Sequence, residues 1–136
     1  MFVENLKETL NLGVKISRKL NPQSVVLLQG PIGAGKTSLV QGIAKGLCIS
    51  EDITSPTFAL SHHYFSGKIP LIHLDLYRLE SISSAKEVFL SEEEEALQKQ
   101  AILIIEWPEL IEPVIDNFWK IEISYAKEYG RNYQIR

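Results

Sequence analysis

The chain has 136 residues, a formal net charge of −3 and a pI near 5.6, which argues against a sequence-wide basic surface for nucleic acid. Its length predicts one domain, residues 1–136, and its 45 % hydrophobic content can bury a core. Cys48 is the one cysteine, so no intrachain disulfide can form and we expect a reducing, cytoplasmic location. We expect no membrane association, because neither a signal peptide pattern nor an apolar run of spanning length is present.

The first third of the chain predicts a helix, a strand and a second helix. Apolar residues recur at helical spacing from about Asn5 to Leu20, where Asn21-Pro22 ends the pattern. The apolar run Val25–Leu28 is typical of a buried strand. Helical spacing then returns in a second set of apolar residues: Leu39, Val40, Ile43, Ala44 and Leu47.

Between that strand and the second helix lies the pattern Gly30-x-x-x-x-Gly35-Lys36-Thr37 of a phosphate-binding loop (P-loop). Glycines let successive backbone N–H groups point inward, Lys36 supplies charge for the β- and γ-phosphates, and the Thr37 hydroxyl can ligate Mg²⁺. A glycine turn that binds nothing is the alternative, which the position between strand and helix disfavours. The residues expected to contact the nucleotide here are Gly30, Ile32, Gly33, Ala34, Gly35, Lys36, Thr37 and Ser38.

The rest of the chain predicts further strands and helices. Thr57–Tyr64 and Leu71–Tyr77 should form an antiparallel hairpin around a turn at Ser66-Gly67. Ser91 followed by Glu94 matches a capping box, which predicts that a helix begins there. The remaining segments predict a strand in AILIIEW, a helix in PELIEPVI with Pro108 in its first turn, a strand in FWKIEISY, and a final strand near Tyr133–Arg136. The fold class is therefore α/β, with a single mixed sheet flanked by helices, as in P-loop NTPases.

Two carboxylates follow strands at places where they can complete a nucleotide site. Asp75 ends LIHLD and Glu106 ends AILIIE, and strand carboxyl ends gather at the edge of the sheet where ligands bind. Either can hold Mg²⁺ or orient the attacking water; a surface acid without function is the alternative for each. Thr57 is a candidate sensor hydroxyl for the γ-phosphate, or a threonine that merely opens a strand.

For each of two aromatic side chains near these carboxylates, the sequence leaves two roles open. Trp107 directly follows Glu106 and either packs beside the nucleotide or serves a core or partner contact. His73 faces the same way as Asp75, so a supporting hydrogen bond and an ordinary core histidine both remain open.

Several segments together resemble the TsaE family: the loop Gly30–Thr37, TSPTF, HLDLYRL, IEWPE and the late Gly130-Arg131, in that order. The resemblance implies a bacterial ATPase needed for the threonylcarbamoyl modification of the adenosine beside the anticodon, in tRNAs that read codons beginning with A. It implies work with the partners TsaB and TsaD, with tRNA met only through that complex. It further implies ATP and Mg²⁺ at Lys36, Thr37, Asp75 and Glu106, with Trp107 near the nucleotide.

Other nucleotide-dependent functions are disfavoured by missing features. A small-molecule P-loop kinase usually brings several arginines onto the transferring phosphoryl group, whereas this chain has four arginines and no obvious lid. A GTPase usually carries Asn-Lys-x-Asp, which is absent. Arg78 and Arg131 could reach the phosphates, but no motif fixes either there. We therefore expect an ATPase that is slow alone and stimulated by its partners. The sequence does not distinguish this ATPase from a nucleotide-binding subunit with little turnover.

Overall fold

A mixed β-sheet with helices on both faces is the framework of the protein. The computed structural model describes residues 1–56, 59–126 and 129–136. The strands are β1 (Phe2–Val3), β2 (Val25–Gln29), β3 (Ser61–Tyr64), β4 (Leu71–Asp75), β5 (Ile102–Glu106), β6 (Trp119–Tyr125) and β7 (Arg131–Ile135). The helices are α1 (Leu6–Ser17), α2 (Lys36–Gly46) and α3 (Ile82–Lys99), with 3₁₀ turns at Pro108–Leu110 and Glu112–Val114. Among these helices, none is long and apolar enough to cross a membrane.

The centre of the sheet is parallel and its two margins are antiparallel. The strand order is β1-β7-β6-β2-β5-β4-β3, in which β2 runs parallel to both β5 and β6, and β4 runs parallel to β5. Strand β3 pairs with β4, and β7 with β6 and β1, in the antiparallel sense. In the β4–β5 register Asp75 lies directly opposite Glu106. The carboxyl ends of β2, β4 and β5 therefore meet at one edge.

Side-chain alternation along the central strands divides the core between the two faces of the sheet. Val26, Leu28 and Ile104 belong to the cluster that packs against α1 and α2. Leu27 and Leu103 belong to the cluster that packs against α3. Because successive side chains point to opposite faces, His73, Asp75 and Glu106 share the face covered by α2. The loop that opens α2 lies over that same face.

Helices α1 and α2 approach each other closely at two glycines. A Cβ atom built on Gly42 would lie 2.5 Å from the backbone oxygen of Leu10 and 3.0 Å from the Cα atom of Gly13. A Cβ on Gly13 would lie 2.7 Å from the Cα atom of Gly42. The contact therefore requires glycine, whose side chain is a single hydrogen atom, at both positions. This close packing fixes the position of α2, and of the loop before it, on the sheet.

The sequence predicted most of these elements. The first helix, the strand at Val25, the α2 helix and the strands in AILIIEW and FWKIEISY are confirmed. The antiparallel hairpin is confirmed with shorter strands than predicted, Ser61–Tyr64 and Leu71–Asp75. Asn5 caps α1, its side chain accepting from the N–H of Glu8 at 3.0 Å. The last strand is confirmed with an earlier start, at Arg131. The two-residue strand β1 was not predicted.

Two predictions were wrong. The helix assigned to begin at Ser91 begins at Ile82, because Ser81 is the N-cap and accepts from the N–H of Ser84 at 3.1 Å. Ser91 therefore lies inside α3. The helix predicted over PELIEPVI is a pair of 3₁₀ turns, because Pro113 lacks the N–H that a continuing α-helix would need.

The glycine contact between α1 and α2 predicts an unusual stability change for Gly42→Ala. Alanine favours a helix over glycine by about 0.8–1 kcal/mol. The overlap with Leu10 should outweigh that gain and lower the free energy of unfolding by about 1–3 kcal/mol. Urea unfolding followed by circular dichroism measures the change, with the exposed Lys45→Ala of the same helix as control. A more stable Gly42→Ala variant would contradict the close-packing account.

Candidate nucleotide-binding site

The loop between β2 and α2 adopts a backbone that favours glycine at two positions. Gly33 has φ +79° and Gly35 has φ +100°, in the left-handed region. The Cβ of a side chain at Gly33 would also lie 3.1 Å from the hydroxyl oxygen of Tyr125. These constraints curl the loop directly before the N-terminus of α2, where unpaired N–H groups and the helix dipole favour an anion.

Two side chains from the C-terminal hairpin hold the outside of this loop. The Tyr125 hydroxyl donates to the carbonyl oxygen of Ile32 at 2.8 Å. Arg131 donates through Nε to the carbonyl oxygen of Ala34 at 3.2 Å and through a terminal nitrogen to that of Gly33 at 3.4 Å. The guanidinium carbon lies 4.4 Å from the centre of the Tyr125 ring. Arg131 therefore braces the loop through its carbonyls.

The Lys36 ammonium group lies under the loop and beneath an aromatic ring. Nζ donates to the carbonyl oxygens of Gly30 at 2.5 Å and Pro31 at 3.2 Å. It also lies 3.9 Å from the centre of the Trp107 ring, which rests on Tyr77 at a centroid separation of 4.8 Å. Trp107 has φ 56° and ψ 59°, a conformation that bulky residues rarely adopt and that strain-bearing functional sites favour. The side chain of Trp107 thus covers the lysine.

Burial and nearby carboxylates act in opposite directions on Lys36. Burial lowers the pKa of Lys36 below its ordinary value and is the larger effect, while Glu106, Asp75 and Glu109 raise it. Burial likewise raises the pKa of Glu109. Because desolvation lowers its pKa, Lys36 loses its proton at a lower pH than an exposed lysine does.

The two predicted carboxylates are both buried and lie side by side. Asp75 is 2 % exposed and Glu106 is 3 % exposed. Oδ1 of Asp75 accepts from the N–H of Tyr77 at 2.8 Å. Oε2 of Glu106 is hydrogen-bonded to Nε2 of His73 at 2.5 Å. Of the two roles left open for His73, the structure therefore supports the hydrogen bond, and its partner is Glu106.

A cavity of about 440 Å³ gathers most of the predicted residues. Its lining comprises Ile32, Gly33, Gly35, Lys36, Thr37, Ser38, Ser55, Asp75, Tyr77, Glu106 and Trp107. Gly30 and Ala34 are not in this lining; Gly30 instead presents its carbonyl to Lys36. Thr57 lies outside the described residues. Ser55 and Tyr77 were missed as individual site residues, although both belong to segments that the family resemblance had marked.

A second cavity, of about 270 Å³, adjoins the same loop. It shares Gly33, Gly35 and Ser38 with the first cavity, and Ala34 also lines it. Its remaining lining comprises Val3, Glu4, Asn5, Leu6, Thr9, Gly130 and Arg131. The loop residues Gly33, Gly35 and Ser38 therefore lie between a cavity with buried carboxylates and one lined by β1, α1 and the start of β7.

The donor set of the larger cavity fits a phosphate chain with magnesium. The loop offers N–H groups and Lys36, and the hydroxyl of Thr37 shares the cavity with two carboxylates. Within the described residues, no group of three or more His, Cys, Asp or Glu side chains is arranged to hold a metal. A magnesium ion here would therefore take hydroxyl, phosphate and water oxygens besides carboxylate, the usual arrangement for Mg²⁺ bound with a nucleotide.

Comparison with known proteins agrees with this geometry. Residues 3–133 match the family model described as threonylcarbamoyl adenosine biosynthesis protein TsaE. The chain belongs to the TsaE family. It is 41 % identical to the tRNA threonylcarbamoyladenosine biosynthesis protein TsaE of Nostoc sp., over 99 % of this chain and 83 % of that one. The Synechocystis sp. protein of the same name is 43 % identical, over 79 % and 69 % of the two chains.

A solved structure shares the fold. The crystal structure of Bacillus subtilis YdiB superposes with a TM-score of 0.80 at 27 % sequence identity, covering 99 % of this chain and 82 % of that one. The predicted α/β architecture of a P-loop NTPase, with one mixed sheet flanked by helices, is thereby confirmed for this TsaE-family chain.

The lowered pKa of Lys36 predicts how ATP affinity of this TsaE-family protein depends on pH. An anionic ligand binds the protonated lysine better, so affinity should be full below the pKa of Lys36 and fall as the pH rises through it. The fall should therefore begin below the pH at which an ordinary lysine, with a pKa near 10.5, loses its charge. Calorimetric titration with ATP from pH 7 to pH 10.5 measures it.

Lys36→Arg is the control for that titration, since arginine stays protonated throughout this range. Its affinity should be lower but nearly independent of pH above pH 8. A pH profile shared by both proteins would show that another group controls the loss.

Proposed function

We propose that this chain binds ATP with Mg²⁺ at the loop Gly30–Thr37 and hydrolyses it in tRNA threonylcarbamoyladenosine biosynthesis, the process for which its family is named. The modified nucleoside is the adenosine beside the anticodon of tRNAs that read codons beginning with A. The observation that carries the proposal is one cavity lined by a buried lysine, a loop threonine and two buried carboxylates. Residues 1–136 serve as one ATPase domain in this account.

Phosphoryl transfer requires positioned positive charge, since the protein itself does little covalent chemistry. Lys36 is the one cation in the lining of the larger cavity within the described residues. In this proposal Lys36 turns from the carbonyl oxygens of Gly30 and Pro31 toward the β- and γ-phosphates. The N–H groups of the loop and of the first turn of α2 bind the remaining phosphate oxygens. Ser38, at the start of α2, faces both cavities and lies next to the phosphates closest to the nucleoside.

The two carboxylates have different roles in this proposal, one at the metal and one at the attacking water. Thr37 and one of Asp75 and Glu106 would hold Mg²⁺, directly or through water, and the ion would supply positive charge against the charge that develops on the phosphates. The other carboxylate orients the attacking water. Thr57 remains a proposed sensor of the γ-phosphate, and Trp107 is proposed to pack beside the bound nucleotide.

The smaller cavity is proposed to receive the nucleoside. Because the carboxylates lie in the larger cavity, the terminal phosphates belong there and the opposite end of ATP extends across the loop. Gly33, Gly35 and Ser38 face both cavities and can therefore contact a ligand that passes from one to the other. Arg131 lines the smaller cavity while bracing the loop, so it can couple nucleoside binding to loop geometry.

Partner proteins are proposed to accelerate the reaction. A missing arginine finger typically costs about 10³–10⁵ in rate, and Arg131 is engaged with loop carbonyls. The isolated chain should therefore bind ATP and hydrolyse it slowly. TsaB and TsaD are the proposed partners, and tRNA is met through their complex. Because tRNA is the modified molecule, we place the chain in the cytoplasm.

Substitution of the cavity residues predicts separate effects on affinity and turnover. Lys36→Ala should abolish ATP binding, because it removes the cation at the phosphates. Asp75→Asn and Glu106→Gln should lower the rate of phosphate release by at least about 10²-fold, as expected for loss of a group that activates water or holds the metal, with a smaller change in affinity. Steady-state phosphate release and calorimetric ATP binding measure the two quantities, with and without TsaB and TsaD.

Glu92→Gln is the matched control, because Glu92 is hydrogen-bonded to His63 at the sheet margin and does not line the larger cavity. It should keep the basal rate of the unsubstituted chain. Wild-type rates in both Asp75→Asn and Glu106→Gln would contradict the assigned carboxylates and make Glu109 the next candidate. A fast basal rate that TsaB and TsaD leave unchanged would contradict the dependence on partners.

A further inference from the structure

His73 is a fully buried histidine in the middle of β4 to which the proposed reaction assigns no task. Its relative exposure is 0 %. Nε2 lies 2.5 Å from Oε2 of Glu106, which lines the larger cavity. The other ring nitrogen, Nδ1, is buried without a hydrogen-bond partner within residues 1–56, 59–126 and 129–136. In the described chain the polar contact of this ring is therefore with a carboxylate of the site.

Packing alone does not account for a histidine at this position. Two neighbours on the same face are apolar: Leu71 lies two residues earlier, and Ile104 is the register partner on β5. His62 is the register partner on β3, and Asp75 lies two residues later. A buried nitrogen without a partner costs free energy, which an aliphatic side chain at this position would avoid. What histidine adds is a hydrogen bond to Glu106.

The strand register explains how this hydrogen bond acts. His73 pairs with Ile104, and Asp75 pairs with Glu106. The imidazole therefore lies on the same face as the two carboxylates but two residues further from the carboxyl ends of the strands. It reaches Glu106 from the core side, and it does not itself line the larger cavity. A hydrogen bond to one oxygen restricts rotation of the whole carboxylate, and neighbouring hydrogen bonds of this kind orient metal-binding and catalytic groups.

We propose that His73 is a positioning residue whose Nε2–H donates to Oε2 of Glu106 and fixes the orientation in which that carboxylate meets the metal ion or the attacking water. The consequence for turnover rests on the proposed function. The hydrogen bond itself does not, so it can be tested without nucleotide.

The nucleotide-free test is a long-range ¹H–¹⁵N spectrum of the full chain labelled in its histidines, with signals assigned from histidine variants. His73 should show a protonated Nε2 whose chemical shift changes in Glu106→Gln, whereas the signals of His63 should not change. An unprotonated Nε2, or a His73 ring that does not respond to Glu106→Gln, would overturn the proposal.

The kinetic test compares His73→Leu with His73→Gln in single-turnover and steady-state ATP hydrolysis. His73→Leu should lower kcat by about 10–100-fold, the usual effect of removing such a supporting contact, and change the KM for ATP by less than about threefold. His73→Gln should recover most of the rate, because its side-chain amide can donate in place of Nε2–H. In a Glu106→Gln background, His73→Leu should cause no further loss.

The matched control is His63→Leu, which removes the other histidine–glutamate pair, His63 with Glu92, whose nitrogen–oxygen distance is 2.8 Å at the sheet margin. Its kcat should equal that of the unsubstituted chain. Equal losses in His73→Leu and His73→Gln, or a full loss that persists in the Glu106→Gln background, would overturn the positioning role. If the unsubstituted chain hydrolyses no ATP, the proposed function fails, and the histidine spectrum still decides whether the hydrogen bond exists.

Discussion

The parallel pairing of β4 with β5 beside β2 is the constraint on which the site depends. Pairing Asp75 with Glu106 sets two carboxylates next to each other at the edge where the loop leaves β2. A one-residue slip of either strand would turn its carboxylate to the face packed against α3. The apolar clusters on both faces make such a slip costly. The core that stabilises the sheet therefore also fixes the positions of the two carboxylates at its edge.

The site holds opposite charges in a poorly solvated place. Lys36 is 7 % exposed, and the carboxylates beside it are more deeply buried still. Carbonyl oxygens and the Trp107 ring take the place of water around the ammonium group, so the charge is partly compensated before any ligand arrives. In the proposed function, a phosphate chain that enters the cavity replaces the carbonyl oxygens of Gly30 and Pro31 as the partner of Lys36. The left-handed backbone of Trp107 is the local strain that brings the indole over the lysine.

Local patterns in the sequence predicted which residues lie around the larger cavity, while the roles of these residues stay predictions. Glycine spacing marked the loop because backbone curvature requires it, and Asp75 and Glu106 were marked because each ends an apolar strand. The bracing by Tyr125 and Arg131 could not be found this way, because these residues contact loop carbonyls 93 to 98 positions away. The start of α3 was predicted at Ser91, and the N-cap at Ser81, whose side chain accepts from the N–H of Ser84, was not predicted. The acidic run is thus inside the helix, where Glu92 reaches β3.

The central claim is that ATP lies across the loop, with its terminal phosphates among Lys36, Thr37 and the two carboxylates. A crystal structure of the chain with Mg²⁺ and a non-hydrolysable ATP analogue tests it most directly. The account predicts that Nζ of Lys36 contacts the β- and γ-phosphates, that Thr37 ligates Mg²⁺, and that the adenosine lies on the side of the loop lined by Arg131. An analogue bound away from the loop, or phosphates on the Arg131 side with the carboxylate cavity holding only water, would contradict it.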